Sequence, residues 1–423
     1  MLKKIAILHP ASDFGINQYC HELAEGLGQC GVEVDIYSSG APQLPPASAH
    51  RRFCVLGSML VKQRKRLQRG LEMTPPPAAA RGWAAEALRT LPAARPQTRP
   101  EAAPGGWKRA ARLFWMRHEL PLFLKWRGYD AIWTQWPDMS PYGSGLWQEA
   151  RRLGLRTIHT VHNVLPHEES QDDINLCEPV YRGAEALIVH SAHARGELTR
   201  LFPYTAPRIL QQWHGSYSMY PMPEGARERV RAELEIGPAQ KMVLFCGGIR
   251  PYKNIDDSVA ALRHAGCGNV VLVVAGQEAH FPDCSPQDPL AHTRALARRF
   301  QVEDKVRLIP RSLSLSEMAE LFLAGDVALL PYLKGYGSGM LLLAMTFGRF
   351  IVSSRTGGAG EYLERYPGHI LLEDTNEASI AAALAEAGPA SGMPAPEEFH
   401  WNTVAGGVLR DLHGLLEDRP RSS

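Results

Sequence analysis

Two segments in the second half of the 423-residue chain combine glycines and cations as a phosphate ligand requires. The first is Phe245-Cys-Gly-Gly-Ile-Arg-Pro-Tyr-Lys-Asn254, where an apolar strand ends in Gly247 and Gly248 and then presents Arg250 and Lys253. Glycine lets backbone approach a ligand closely, and Arg and Lys give charge-assisted bonds to phosphate oxygens. The second runs from Leu330 to Met345, where a strand gives way at Tyr332 to a glycine-rich loop and then to an apolar helix starting near Ser338. Free N–H groups at Ser338 and Gly339, helped by the helix dipole, make an anion site. Either segment alone also reads as an ordinary turn. Together they describe a diphosphate cradle.

The first half holds titratable groups on one loop, Thr160-Val-His-Asn-Val-Leu-Pro-His-Glu-Glu169. His162, His167 and Glu168, with Asn163 beside them, gather as acid–base work requires. The spacing is not that of a helical zinc motif, and no Asp-x-Asp occurs, so no metal is expected. Lesser candidates are Asp13 and Gly15 in the first loop, Asp138 in Trp136-Pro137-Asp138, and His214 and Tyr217 in His214-Gly215-Ser216-Tyr217. Each of these also reads as turn chemistry.

The elements that must position these groups follow from apolar periodicity. Ile5–His9, Val32–Tyr37, Ala131–Thr134, Thr157–Val161 and Ala186–His190 read as buried strands separated by helical patterns. The alternation restarts with Met242–Cys246, Val270–Ala275, Val306–Ile309, Val327–Leu330 and Phe350–Ser353. Such alternation predicts α/β architecture: two Rossmann-like, doubly wound domains facing a cleft, with ligands at the carboxyl ends of the strands. The expected bounds are 1–217 and 218–395, followed by a C-terminal helix and tail over 396–423 that packs back on the first domain.

A net charge of only +2 and 45% apolar residues exclude a disordered chain. The charge is uneven, however. Residues 51–130 hold 17 Lys+Arg against 5 Asp+Glu, along with Trp83, Trp107, Trp115 and Trp126. A Pro-rich basic insertion over about 60–127 is therefore expected, with Trp107–Trp126 an amphipathic helix interrupted at Pro121. It reads as a docking surface for anionic membrane or as a solvated basic helix. The seven cysteines are scattered without a Cys-x-x-Cys pair, which suits reduced thiols in a cytosol. No apolar run reaches the ~18 residues of a spanning helix. The N-terminus reads as a first strand and not as a secretion signal.

The Gly-Gly-x-Arg-Pro-Tyr-Lys loop and the Pro-Tyr…Ser-Gly-x-Leu-Leu-Leu-Ala segment resemble GT-B glycosyltransferases. More narrowly, Trp136-Pro137-Asp138, the loop His162 to Glu168 and the turn His214 to Tyr217 are similar to motifs of xanthan-type GDP-mannose:glycolipid β-mannosyltransferases, in the same order over about residues 130–355. The resemblance implies transfer of a hexosyl group from a nucleotide sugar to a lipid-linked saccharide, with no nucleic acid and no cofactor, since the nucleotide sugar is a substrate. It implies a cytoplasmic enzyme held peripherally at the inner face of the cytoplasmic membrane. Retaining GT-B enzymes carry two glutamates eight positions apart, where this chain has Gly335 and Leu343. Their absence favours an inverting reaction, with Glu168 as base, Asp138, Asp13 and His162 as alternatives, and His162 in contact with the donor sugar. The competing readings are a retaining transferase, an epimerase or hydrolase, and an inactive sugar-nucleotide-binding scaffold.

Overall fold

The strands form two parallel sheets, as the repeated strand–helix alternation requires. The structure is a computed structural model and describes residues 2–9, 14–38, 51–55, 119–135, 140–165, 173–279, 281, 287–335 and 337–417. The first sheet contains β1 (Lys4–His9), β2 (Glu33–Ser38), β3 (Arg51–Val55), β4 (Ala131–Thr134), β5 (Arg156–Thr160), β6 (Ala186–Val189) and β7 (Ile209–Gln211). Its order is β3-β2-β1-β4-β5-β6-β7. The second contains β8 (Lys241–Ile249), β9 (Val270–Glu278), β10 (Val306–Ile309), β11 (Val327–Leu330), β12 (Phe350–Ser354) and β13 (His369–Leu372), in the order β10-β9-β8-β11-β12-β13. Central strands such as β4, β6 and β11 are buried at every residue, because helices cover both faces of a parallel sheet. The architecture is two Rossmann-like units, each a parallel sheet covered by helices.

The helices are α1 (Phe14–Gln29), α2 (Leu120–Trp126), α3 (Ser140–Arg152), α4 (Asp173–Gly183), α5 (Ala192–Leu201), α6 (Ala226–Glu233), α7 (Ile255–Ala260), α8 (Ala291–Phe300), α9 (Leu315–Ala324), α10 (Gly339–Thr346), α11 (Ala359–Leu363), α12 (Glu377–Glu386) and α13 (Trp401–Glu417). In each sheet the strand order reverses beside its first strand, β1 or β8. The crevice at such a switch point is where ligands bind. Helix α13 returns to the first sheet and packs on α1. Its Trp401, Val404, Val408 and Leu412 share a core with Ile5, Leu23 and Leu27.

Of the helix expected over Trp107–Trp126, the described part is α2, with Pro121 in its first turn, where a missing N–H costs no hydrogen bond; the part before Glu119 lies outside the described residues. One local expectation changes. β8 does not stop at Cys246 but runs through both glycines to Ile249. The strands β3, β7 and β13 add to those read from the sequence. Most of the basic insertion, including Lys62 to Arg66, lies outside the described residues. Among the described residues no helix is long and apolar enough to cross a membrane.

Candidate active site

A cavity of about 510 Å³ opens between the carboxyl ends of the two sheets. The second domain contributes the loops after β8, β11 and β12. The β8 glycines serve strand approach as well as ligand access. Gly276 on β9 pairs with Gly247 at φ +144, and a Cβ on it would fall 1.9 Å from the Gly247 carbonyl oxygen. Gly247 is not itself part of the cavity wall; its φ of +100 is what favours glycine, since a Cβ there would only touch the Lys253 ammonium in ordinary contact at 3.6 Å. Gly248 and Arg250 do line the cavity.

Lys253 ends a short 3-10 turn and folds back against the strand end, only 9% exposed. Its Nζ sits 5.2 Å from the centre of the Tyr332 ring, close enough for a cation–π contact. Among the described residues no acceptor lies within hydrogen-bonding distance of that ammonium. Burial, with the Arg250 charge adding to it, pulls its pKa down to about 8. Tyr332 ties the three loops together. Its hydroxyl lies near the Ser338 side chain, and burial raises its pKa well above the ordinary tyrosine value. Its carbonyl accepts the hydroxyls of Ser354 at 2.7 Å and Thr356 at 3.0 Å. Ser338 caps α10 by accepting the Leu341 N–H at 3.4 Å, so the helix begins at the cavity wall.

The first domain contributes rings. Tyr19 on α1, His162 after β5, His190 after β6 and His214 in the connection after β7 all line the cavity. Tyr19 lies with its ring centre 4.6 Å from His162, 5.3 Å from His190 and 5.1 Å from His214. His162 Nε2 donates to Gln135 Oε1 at 3.1 Å, and His190 Nδ1 donates to the Gln212 carbonyl at 3.0 Å. Desolvation disfavours the imidazolium form of each. It lowers His190 to about 4 and His214 to about 3. His162 is lowered well below the ordinary histidine value by desolvation and by the neighbouring histidines. At neutral pH this wall is uncharged, and the cations Arg250, Lys253 and Lys334 line the cavity from the other domain.

The structure brings Gly15, His162, Asn163, His214, Tyr217, Gly248, Arg250, Lys253, Tyr332, Ser338 and Gly339 onto one cavity. Asp13, Asp138, His167 and Glu168 lie outside the described residues. Gly335 lines the cavity, while Leu343 is buried in the core of the second domain. Sequence reasoning missed Tyr19, His190, Lys334, Thr356 and Tyr362. His190 and Thr356 carried a usable signal, since each lies at or just past the end of a predicted strand. Tyr19 read only as the core face of a helix, and nothing local marked Tyr362.

Two parallel Rossmann-like sheets closing on a cation-lined cleft define the GT-B class. Residues 14–211 match the family described as "Glycosyl transferase 4-like domain", and residues 240–387 match "Glycosyl transferases group 1". Both halves are therefore glycosyltransferase domains, and the chain is a GT-B glycosyltransferase by class. The chain is similar to D-inositol 3-phosphate glycosyltransferase of Segniliparus rotundus, at 25% identity over 293 residues covering 64% of this chain and 63% of that protein. It thus spans just under two thirds of that relative. Among solved structures it resembles sucrose-phosphate synthase from Thermosynechococcus elongatus, with a TM-score of 0.66, 17% identity, and coverage of 99% and 100%. It also resembles HepE of Anabaena in complex with UDP-glucose, with a TM-score of 0.62, 14% identity and 98% of both chains covered. At these identities the structural likeness shows the fold.

Proposed function

We propose that the chain moves a hexosyl group from a nucleoside-diphosphate sugar on the second domain to a hydroxyl of a lipid-linked saccharide held against the first, with inversion at the anomeric carbon. The observation that carries this is Lys253, a buried ammonium beside Arg250 at a cavity wall, with no protein acceptor among the described residues. A buried cation is costly unless an anion pairs with it, and a diphosphate supplies one. As the bond from the anomeric carbon to the diphosphate oxygen breaks, charge builds on the leaving group. Arg250, Lys253 and the N–H groups at the start of α10 are placed to stabilise it.

The acceptor oxygen forms the new bond from the opposite face, and its proton passes to a protein base. His162 is a poor base: its surroundings hold it neutral far below pH 7, and its Nε2 is engaged by Gln135. It is suited to positioning a sugar hydroxyl. That leaves a carboxylate, and Glu168 is our assignment ahead of Asp138 and Asp13. A UDP-sugar or GDP-mannose donor and an acceptor from exopolysaccharide or glycolipid assembly, met at the inner membrane face, complete the reading. The resemblance over residues 130–355 supports it.

Thermal unfolding with UDP-, GDP-, dTDP- and ADP-sugars tests the donor site. A true donor at a hundredfold excess over its dissociation constant adds about 2.7 kcal/mol of stability. The same scan on Lys253→Gln should lose that gain. Turnover is then assayed with a detergent-solubilised polyprenyl-diphosphate saccharide and, in parallel, with inositol 3-phosphate, the acceptor class that the Segniliparus relative's name indicates. If no nucleotide sugar stabilises the protein, the proposal fails. Turnover on inositol 3-phosphate alone would replace the lipid-linked acceptor.

A further inference from the structure

The first turn of α5 exposes N–H groups that its own domain satisfies only in part. Ser191 caps the helix and accepts the Ala194 N–H at 3.0 Å. The other two N–H groups are taken by a carboxylate from the opposite domain: Glu361 of α11 accepts from Ala192 at 2.8 Å and from His193 at 3.1 Å. A carboxylate at a helix N-terminus is favoured by both the free donors and the helix dipole. The next residue makes a second bridge. The Tyr362 hydroxyl donates to the His190 carbonyl at 2.8 Å and accepts the His214 N–H at 2.8 Å. The two surfaces meet tightly here, since a Cβ on Gly358, at φ +83, would fall 2.4 Å from Ser191 Cβ.

Both ends of this bridge belong to the cavity. Thr356, Gly357 and Ala359, just before Glu361, line it on the donor side. His190 and His214 line it on the facing side. His190 has spent Nδ1 on the Gln212 carbonyl, and among the described residues its buried Nε2 has no hydrogen-bond partner. That nitrogen is shielded in this closed arrangement, so the ring meets the cavity through its other atoms.

We infer that Glu361 and Tyr362 are positioning residues for glycosyl transfer: they lock the donor-side loop Thr356–Gly358 to the His190–His193 end of β6, so that His190 and His214 stand at the reacting sugar only when the domains are closed. The inference rests on the proposed transferase reading. Neither residue is a catalytic group, because each acts through the segment it holds. The clamp exchanges carboxylate–water and N–H–water bonds for direct ones, so it is weak enough to open each cycle. Its loss should fall on turnover, since a misplacement of about 1 Å costs on the order of 10²-fold.

The test compares Glu361→Ala, Glu361→Gln and Tyr362→Phe with wild type and with Glu364→Gln, a control on the residue after α11. Affinity for UDP and GDP is measured by calorimetry. Turnover is measured as nucleoside-diphosphate release from whichever of UDP-glucose and GDP-mannose wild type uses, with the polyprenyl-diphosphate saccharide. Small-angle scattering at saturating UDP or GDP reports domain closure. Glu361→Ala and Tyr362→Phe should lower kcat about 10²-fold with diphosphate affinity within about twofold of wild type. Glu361→Gln, which keeps one acceptor oxygen, should lie between, and the control should match wild type. Glu361→Ala should also show a larger radius of gyration in the nucleotide. Unchanged kcat in both variants overturns the inference, and so does a parallel loss of kcat and diphosphate affinity. If wild type turns over none of the UDP-, GDP-, dTDP- and ADP-sugars with either the polyprenyl-diphosphate saccharide or inositol 3-phosphate, the transferase reading fails, and scattering alone decides the clamp: identical curves for wild type and Glu361→Ala reject it.

Discussion

Lys253 is the residue where stability and function pull apart. Its folded pKa of about 8 lies below the ordinary lysine value of 10.5, so the unfolded chain binds more protons between those two pH values. Stability therefore rises with pH across that window, and at neutral pH the buried charge costs on the order of 1–3 kcal/mol. Lys253→Met should raise the melting temperature of the free protein at pH 7 while abolishing its stabilisation by UDP or GDP. On the proposed reading, a bound diphosphate would hold the proton on Lys253. Diphosphate affinity should thus be flat below pH 8 and fall by up to about tenfold per unit above it, whereas Lys253→Arg stays flat to pH 10. Calorimetry in buffers from pH 6.5 to 9.5 reads both, and a wild-type affinity that does not change above pH 8 would remove Lys253 from the diphosphate. The carboxylate makes the complementary case. Glu168→Gln should keep nucleotide affinity and lose about 10²–10⁴-fold in turnover, because an amide cannot take the acceptor proton. If it turns over normally while Asp138→Asn does not, the base is Asp138.

At the scale of elements, much of the site was legible because strand ends are. Gly248, Arg250, Tyr332 and Ser338 all stand shortly beyond the apolar run of a buried strand, and the switch-point rule then places them on one crevice. The strands that escaped notice had physical reasons to do so. β7 is only three residues long, and β8 was cut short because Gly247 and Gly248 look like a stop. In fact they extend the strand, since only glycine allows β8 and β9 to approach so closely at Gly276. The histidine wall was half visible. His162 and His214 announced themselves by motif, but Tyr19, His190 and Tyr362 come from three separate elements, and only sheet order and domain closure bring them together. Gly276→Ala tests the element directly. Its Cβ would overlap the Gly247 carbonyl, and φ +144 strains any other residue, so a loss on the order of 2–4 kcal/mol is expected in the second domain. Differential scanning calorimetry should show that domain melting earlier, with weaker UDP or GDP stabilisation. A wild-type thermogram would mean that the two strands move apart at no cost.

At the scale of the whole molecule, the proposed lipid-linked acceptor raises the question of how a chain of net charge +2 would reach it. Its uneven charge supplies an answer. The basic stretch 51–130 leaves the rest of the chain net acidic, so an anionic surface attracts that stretch and repels the remainder. The described part of that stretch ends in α2, where Trp126 is 73% exposed between the exposed Lys125 and Arg127. The neighbouring α3 closes with Arg151 and Arg152. An exposed tryptophan among cations is the composition of a membrane-interface anchor, with charge attraction contributing about 1 kcal/mol per basic residue near the surface. Docking by this face would place the first domain, where we put the acceptor, toward the lipid. The protein should float with phosphatidylglycerol-rich liposomes at low salt and be released as ionic strength shortens the Debye length to about 8 Å at 0.15 M and below. Trp126→Ala combined with Lys125→Gln and Arg127→Gln should weaken flotation severalfold without moving the melting temperature, because these side chains are exposed. Neutralising Lys62, Arg64, Lys65 and Arg66 should weaken it further. Flotation that is absent at low salt, or indifferent to both sets of substitutions, would leave the enzyme to meet its acceptor in solution and would move the acceptor assignment to a soluble saccharide.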